Sequence, residues 1–140
     1  MTAVVLPVEE GRDPAWALER VVELSRREPV LVHLLNVRTP LPAYVARFIP
    51  AGERQAFHHE NGMGALREAI ARLDAAGIAH REHVLVAPNK AETIVEFARH
   101  QRCSQIVLDQ PEGVLEGLGL GSIRAQVRHL VRPDDSCQVA

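Results

Sequence analysis

Five short apolar runs alternate along this chain with four segments of helical periodicity, and that alternation constrains the fold more than any other feature. The runs are residues 3–8, 30–37, 80–87, 104–108 and 137–140. The second run, VLVHLLNV, is apolar almost throughout, which is typical of a parallel strand covered on both faces. Right-handed crossovers between parallel strands place helices on both sides of a sheet. The sequence therefore predicts one α/β domain over residues 1–140, a doubly wound, Rossmann-like sheet of five mainly parallel strands with four helices on both faces.

The composition fits a compact domain and excludes several classes of partner. Apolar residues make up 46% and charged residues 24% of the 140 positions, which is ordinary for a globular protein. The net charge of −2 offers no basic surface for nucleic acid or for an anionic membrane. The apolar run at 3–8 stops at Glu9 and Glu10, too short for a signal peptide or a spanning helix. We expect a cytoplasmic protein.

Local signals refine the helical segments. Asp13 is expected to cap the first helix, with Pro14 in its first position and Trp16 in the core. The second long helix is predicted over residues 53–76, and Gly62 and Gly64 each weaken it by about 1 kcal/mol relative to alanine. We therefore expect a kink or a frayed turn at these glycines.

The segment after the second strand carries the only tyrosine of the chain. Tyr44, Val45, Phe48 and Ile49 are spaced to share one face of a short helical turn. We favour a role in covering the core. The alternative is an exposed interaction patch.

The reactive side chains form no recognisable catalytic or metal-binding pattern. His58 and His59 point about 100° apart on a helix, and His80 and His83 project from opposite faces of a strand. Ser122 has no base nearby, since His129 lies two helical turns further on. We expect no metal site and no catalysis. An enzyme of the nucleotidyl-transfer or electron-transfer flavoprotein type is a weaker alternative, since only the fold class supports it.

The two cysteines are expected to be structural. Cys103 and Cys137 stand where strands begin, and they lack the CxxC spacing of a redox pair or a zinc site. We expect small buried thiols.

Four segments, taken together, resemble the universal stress protein family over nearly the whole chain. They are VVLPVEEG, VLVHLLNV, AETIVEFARHQRCSQIVLD and GSIRAQVRHLVRPDDSCQVA. In sheets of this class, ligands bind outside the carboxyl ends of the strands where the strand order reverses. This rule directs attention to the loops after the first and fourth strands.

The resemblance implies a set of ligand-contacting positions. ATP-binding members of the family carry Gly-x2-Gly-x9-Gly-Ser/Thr after the fourth strand, where backbone amides and a helix N-terminus meet phosphate. Gly121 and Ser122 match the second half of that motif. Asp109 replaces its first glycine, and Gly113 comes one residue late, with seven residues instead of nine between it and Gly121. Glu9 replaces the family aspartate. The implied cofactor-binding positions are Pro7, Glu9, Val37, Leu108, Asp109, Gly113, Gly121, Ser122 and Ile123.

Acidic residues crowd the two loops that should frame this site. They are Glu9, Glu10, Asp109, Glu112 and Glu116, with only Arg12 and Arg124 nearby to offset them. One carboxylate about 4 Å from a phosphate costs roughly 1 kcal/mol in water and several times more in a half-buried cleft. A helix dipole returns only about 0.3–1 kcal/mol. We expect no cofactor, or weakly bound ATP or AMP, with magnesium in the case of a triphosphate.

These observations lead to two functional expectations. The first is a non-catalytic, homodimeric binding or adapter module in stress response that has lost ATP binding, with residues 137–140 as the edge strand that pairs with a second copy. A protein partner is also compatible with this interpretation. The second is an adenine-nucleotide-binding stress sensor with a diverged phosphate loop.

Overall fold

The computed structural model of the protein describes residues 1–108 and 123–140. Within them the helices and strands follow one another in the order β1 (Thr2–Pro7), α1 (Ala15–Ser25), β2 (Val30–Arg38), α2 (Ala43–Ala46), α3 (Ala51–Ala75), β3 (Ala79–Val86), α4 (Lys90–His100), β4 (Gln105–Ile106), α5 (Ile123–Leu130) and β5 (Gln138–Val139). The short helix α2 is additional to the four helices expected from the sequence.

The strands form one sheet in the order β3-β2-β1-β4-β5, and every neighbouring pair is parallel. The chain moves outward from β1 to β2 and β3, and then returns to the other side of β1 for β4 and β5. The order therefore reverses at β1, between β2 and β4. The predicted doubly wound α/β fold is confirmed.

Each face of the sheet carries its own apolar core, because successive strand residues point to opposite sides. Helices α1 and α3 cover the face that includes Val4, Leu6, Val32 and Leu34. Helix α4, with Val127 of α5, covers the face that includes Val5, Leu35 and Ile106. Burying each of these side chains contributes about 1.5–3 kcal/mol. Helices on both faces are what the apolar run of β2 predicts.

The helix starts differ slightly from expectation. Helix α1 begins at Ala15, so Pro14 occupies the N-cap position. The prediction had placed Pro14 in the first position of the helix. Asp13 Oδ1 accepts a hydrogen bond from the Ala15 amide at 3.0 Å, which keeps its expected role as an acceptor at this end. At α4, Asn89 caps the helix by accepting from the Glu92 amide at 3.0 Å.

The predicted kink at Gly62 and Gly64 is wrong, because α3 runs unbroken from Ala51 to Ala75. Gly62 is buried, and a Cβ atom there would clash with the side chain of Val84 on β3. Gly64 faces open space. The first glycine thus serves a close approach of helix to strand, and not a break in the helix.

The aromatic residues after β2 do not cover the core as expected. Tyr44 is 67% exposed and Phe48 is 76% exposed. Helix α2 spans a single turn and buries none of its own residues. Trp16 is only half-buried against the core, with the guanidinium groups of Arg20 and Arg124 at 5.1 and 5.8 Å from its ring centre.

The cysteines are buried thiols, as predicted. Cys103 and Cys137 are both free and lie in the core on the α4 face. Burial raises the pKa of each thiol to about 11, so neither forms a thiolate near neutral pH.

Among the described residues, no helix combines the length and the apolar content that crossing a bilayer requires. The same residues contain no group of three or more histidine, cysteine, aspartate or glutamate side chains arranged to hold a metal ion.

Candidate functional site

The strand order reverses at β1, and we call the region beyond the carboxyl ends of the strands at this point the crevice. Beyond β1, the Val8 amide still donates to the Leu35 carbonyl at 2.9 Å, and beyond β4 the Val107 amide donates to Val5 at 2.9 Å. Pairing thus continues to the base of the crevice before the chain leaves for α1. A turn at residues 9–12 follows β1, and Gly11 adopts a φ of 75° there, a conformation that suits glycine.

Four of the predicted site residues are apolar and lie within the described part of the chain. Pro7 is buried at the end of β1, paired with Leu35 of β2. Val37, Leu108 and Ile123 come from three separate elements and pack in one hydrophobic cluster. The structure therefore brings together side chains that are distant in sequence. Asp109, Gly113, Gly121 and Ser122 lie outside the described residues, as do Glu112 and Glu116.

A cavity of about 260 Å³ opens between the ends of β1 and β2. It is lined by Glu9, Glu10, Asn36, Val37, Arg38, Thr39 and Lys90. Glu9 and Val37 were predicted as binding positions and Glu10 as part of the acidic frame of the site, whereas sequence reasoning missed Asn36, Arg38, Thr39 and Lys90. Arg38 is the last residue of β2, and Lys90 begins the helix after β3. Ligands bind at the carboxyl ends of the strands in sheets of this class, and applying this rule to β2 and β3 as well would have indicated Arg38 and Lys90.

The two described glutamates of the crevice are each matched by an arginine. Arg12 Nε lies 3.3 Å from Glu9 Oε2, and both side chains are about one-third exposed. Arg38 forms an ion pair and a hydrogen bond with Glu10. The expectation that Arg12 and Arg124 are the only cations near these acids is therefore wrong, because Arg38 and Lys90 also line the cavity.

Arg124 serves another part of the molecule. Its Nη1 and Nη2 donate to the Ala140 carbonyl at 3.4 and 3.3 Å, beside the ring of Trp16. Burial, together with Arg128 and Arg20, lowers the pKa of this guanidinium. Arg124 therefore ties α5 to the end of β5, and its described contacts include no crevice glutamate.

Asn36 connects the two strands that border the cavity. It is buried, and its Nδ2 donates to the Val8 carbonyl at 2.8 Å. Because a carbonyl only accepts, this bond determines which end of the amide faces β1. Asn36 thereby anchors the start of the turn that carries Glu9 and Glu10.

The described histidines lie on both faces of the sheet. His80 contacts Asp74 of α3, whereas His83 packs against Phe97 of α4, so the two project from opposite faces of β3 as predicted. His83 Nε2 lies 3.0 Å from His33 Nδ1. His58 accepts from Arg38 Nε at 3.0 Å and lies apart from His59, which is exposed.

The fold defines the class of this protein: a doubly wound α/β protein with a cavity lined by charged and polar side chains beside the reversal of its strand order. The family model described as the Universal stress protein family matches residues 1–132. The chain belongs to the universal stress protein family.

Solved structures share the fold at low sequence identity. A universal stress protein in complex with cAMP is 20% identical, with a TM-score of 0.71 over 99% of this chain and 96% of the other. A universal stress protein from Archaeoglobus fulgidus in complex with dAMP is 18% identical, with a TM-score of 0.65 over 99% and 97%. One from Arabidopsis thaliana with AMP bound is 16% identical, with a TM-score of 0.65 over 100% and 90%. No curated protein matches the chain significantly.

Proposed function

We propose that this protein binds an adenine nucleotide in the crevice without chemical turnover, and that it prefers a monophosphate to a triphosphate. The observation that carries the proposal is the charge pairing at the crevice. Glu9 and Glu10 are occupied by arginines, and Lys90 has no carboxylate partner among the described residues. Lys90 is therefore available to a phosphate, and the paired glutamates repel it less than the sequence alone suggests.

An apolar side chain also borders the cavity. Val37 lines it and packs with Leu108 and Ile123 in one hydrophobic cluster, and pockets for small ligands commonly combine apolar side chains with a few polar groups. The structural neighbours that hold cAMP, dAMP and AMP support the same ligand class. They favour nucleotide binding over the loss expected from the acidic loops.

The preference for a monophosphate follows from charge. One cation about 4 Å from a phosphate is worth roughly 1 kcal/mol in water and about 4 kcal/mol near a protein surface. The sequence of residues 109–122 contains Asp109, Glu112 and Glu116 and no lysine or arginine. The β- and γ-phosphates of ATP therefore find no cationic side chain in that segment, and magnesium is needed to offset their charge.

The described part of the crevice supports binding more than turnover. Its cavity is lined by carboxylate, amide, hydroxyl and cationic side chains, and none of the described lining residues is a histidine, serine or cysteine. Thr39 carries a hydroxyl in this lining, and among the described residues no hydrogen bond joins it to a base that would activate it.

Calorimetric titration tests the proposal. AMP is expected to bind more tightly than ATP without magnesium, and Lys90→Gln is expected to weaken AMP binding about tenfold. Arg81→Gln, on β3 and outside the cavity lining, is the matched control. If AMP produces no saturable heat at millimolar concentration, with or without magnesium, nucleotide binding is absent and the association module is the better interpretation. Release of ADP or phosphate from ATP by the purified protein would contradict the non-catalytic part.

We also propose that the protein forms a homodimer through β5. This strand is the outermost on its side of the sheet, with the Gln138 and Ala140 amides bonded to Ser104 and Ile106 at 3.0 and 2.9 Å. In a parallel pair the bonding direction alternates along a strand, so the Val139 backbone faces outward. A second copy could pair antiparallel about Val139, which is the closed two-fold arrangement most common among homo-oligomers.

Light scattering after gel filtration tests the dimer. We expect a dimer at micromolar concentration and a shift toward monomer in Val139→Pro, which removes the outward amide. Gln138→Ala, whose backbone faces β4, is the control. A monomer at micromolar concentration in the unmodified protein contradicts the proposal.

A further inference from the structure

A second cavity, of about 450 Å³, lies on the α3 face at the carboxyl end of β3. We call it the α3 cavity. Its wall comes from the connection between β2 and α3, from the first turns of α3, and from β3. Strand β3 is separated from β1 by β2, so the α3 cavity is on the far side of β2 from the point where the strand order reverses. Its volume is within the range of small-molecule sites.

The lining of the α3 cavity divides into two kinds of surface. One part is apolar and includes Leu41, Ala46, Val84 and Val86. The other part is polar and is formed by Arg54, Gln55, His58 and His59. None of the described residues that line the cavity is acidic. The polar part is therefore neutral or positive, beside a hydrophobic wall.

His58 presents a hydrogen-bond donor whose position is set by the fold. Its Nδ1 accepts from Arg38 Nε at 3.0 Å, and an arginine N–H only donates, so the imidazole proton is on Nε2. The side chain is only 6% exposed. Burial, with Arg38 and Arg54 nearby, lowers the pKa of His58 and keeps the ring neutral at pH 7. The Nε2–H group has no hydrogen-bond partner among the described residues.

Arg54 presents a positive charge that is also held in place. Its Nη1 donates to the carbonyl of Ala46, the last residue of α2, at 2.8 Å. It also donates to the carbonyl of Ile49, which follows that helix. These bonds hold the guanidinium while its other N–H groups stay unused, and no described carboxylate pairs with it. A half-buried guanidinium without an anion is unusual, because buried charges are normally paired.

Gly62 makes the wall of this cavity close and rigid. The absence of a side chain at Gly62 lets α3 lie directly on Val84, which is itself a lining residue. The polar groups of α3 are thus carried by an element that is packed against the strand forming the opposite wall. Preorganised donors of this kind lose little entropy when a ligand binds.

We propose that the α3 cavity binds a small amphipathic anion, an aliphatic carboxylate whose charged head meets Arg54 and His58 and whose chain lies on Leu41, Val84 and Val86. A carboxylate has the acceptor oxygens that both free donors need, and it neutralises the unpaired guanidinium. The apolar wall packs against the alkyl chain of the ligand. Arg54 confers the preference for an anion over a neutral molecule of the same length.

Hexanoate and 1-hexanol are the matched probes, because they share a chain length and differ in charge. Each is titrated into the ¹⁵N-labelled protein while amide shifts are followed by NMR. Hexanoate is expected to shift amides of residues 41–59 and 84–86 and to bind at least about tenfold more tightly than 1-hexanol. Saturating AMP is expected to leave the hexanoate affinity unchanged, whether or not AMP itself binds, so this test is independent of the proposed nucleotide site.

Two variants identify the residues responsible. Arg54→Gln is expected to weaken hexanoate binding at least tenfold and to leave 1-hexanol binding unchanged, whereas Arg47→Gln, outside the cavity, is the control. Ala51→Leu fills the cavity from an exposed lining position and is expected to abolish binding of both probes; Ala56→Leu is its control. Equal affinity for the two probes, an unaffected Arg54→Gln or Ala51→Leu variant, or shifts confined to the crevice would each overturn the proposal.

Discussion

The crevice and the α3 cavity lie on opposite sides of β2, and they differ in how their charged side chains are paired. In the crevice, Glu9 and Glu10 are already paired with Arg12 and Arg38 before any ligand arrives. In the α3 cavity, Arg54 and His58 donate into a space whose described lining contains no acid. Counting charged residues along the sequence predicts that the crevice repels anions. The pairing shows that the location of each charge matters more than the count.

Arg38 belongs to both regions. Its Nη1 pairs with Glu10 in the crevice, and its Nε donates to His58 in the wall of the α3 cavity. The comparison between the two regions therefore depends on whether they act independently, and substitutions can separate them.

The largest effect is expected from closing the contact between α3 and β3. Gly62→Val places a branched side chain where even a Cβ atom would clash with Val84, and overpacking of this kind costs about 1–3 kcal/mol or more. We expect the free energy of unfolding to fall by about 3 kcal/mol in urea denaturation. Binding of hexanoate should be lost with it, while AMP binding to the folded fraction persists.

Gly64→Ala is the control for this substitution, since Gly64 faces open space. It should stabilise the helix by up to about 1 kcal/mol. A Gly62→Val protein as stable as the unmodified one would contradict the close approach.

A smaller effect is expected from Arg38→Gln, which tests the independence of the two regions. Loss of this guanidinium leaves Glu10 uncompensated beside the phosphate position, so AMP binding should weaken about tenfold, corresponding to about 1.4 kcal/mol. Hexanoate binding should weaken by less than about threefold, because Arg54 remains. Titration of both ligands into one preparation measures the two effects together. An equal loss at both sites would show that they are coupled through Arg38.

The smallest effect concerns the histidines on the two faces of β2 and β3. Burial lowers the pKa of His33, helped by His83 and Arg81, and burial also lowers the pKa of His83. A lowered pKa means that the unfolded chain takes up protons first, so stability is lost as the pH falls from about 6.5 toward the folded pKa. For His80, burial acts to lower the pKa, but Asp74 and Glu82 outweigh it and raise it. His80 therefore adds stability below about pH 6.5.

We expect His83→Gln to lose less stability than the unmodified protein between pH 7 and pH 5.5, as measured by urea denaturation at each pH. His59→Gln, at an exposed position, should follow the unmodified protein. If His58→Gln flattens the pH profile and His83→Gln does not, the acid response belongs to the wall of the α3 cavity and not to the buried pair on the α4 face.

Local patterns were sufficient for much of the fold. The strand β2 was visible in VLVHLLNV, and the start of α1 was visible in Asp13 and Pro14, because both depend on neighbours in the chain. The burial of Cys103 and Cys137 was also assigned correctly. The resemblance to the family named Val37, Leu108 and Ile123 as binding positions; the structure places them in one hydrophobic cluster, and their role in binding stays a prediction.

Contacts between distant segments were not predictable in this way. Gly62 was interpreted as a weak point of a helix, because no residue near it in the sequence indicates that it packs against Val84. Tyr44 and Phe48 were placed over the core, whereas the single turn of α2 leaves them exposed. Arg38 was overlooked because its partners Glu10 and His58 are 28 and 20 residues away.

The sequence by itself determined the order of strands and helices, the parallel sheet and the family, because periodicity and turn residues act over a few positions. Only the tertiary structure decided which charges meet. Electrostatic energy falls off with distance in space, and the fold alone brings Arg38 to Glu10 and places Arg54 where no carboxylate of the described residues pairs with it.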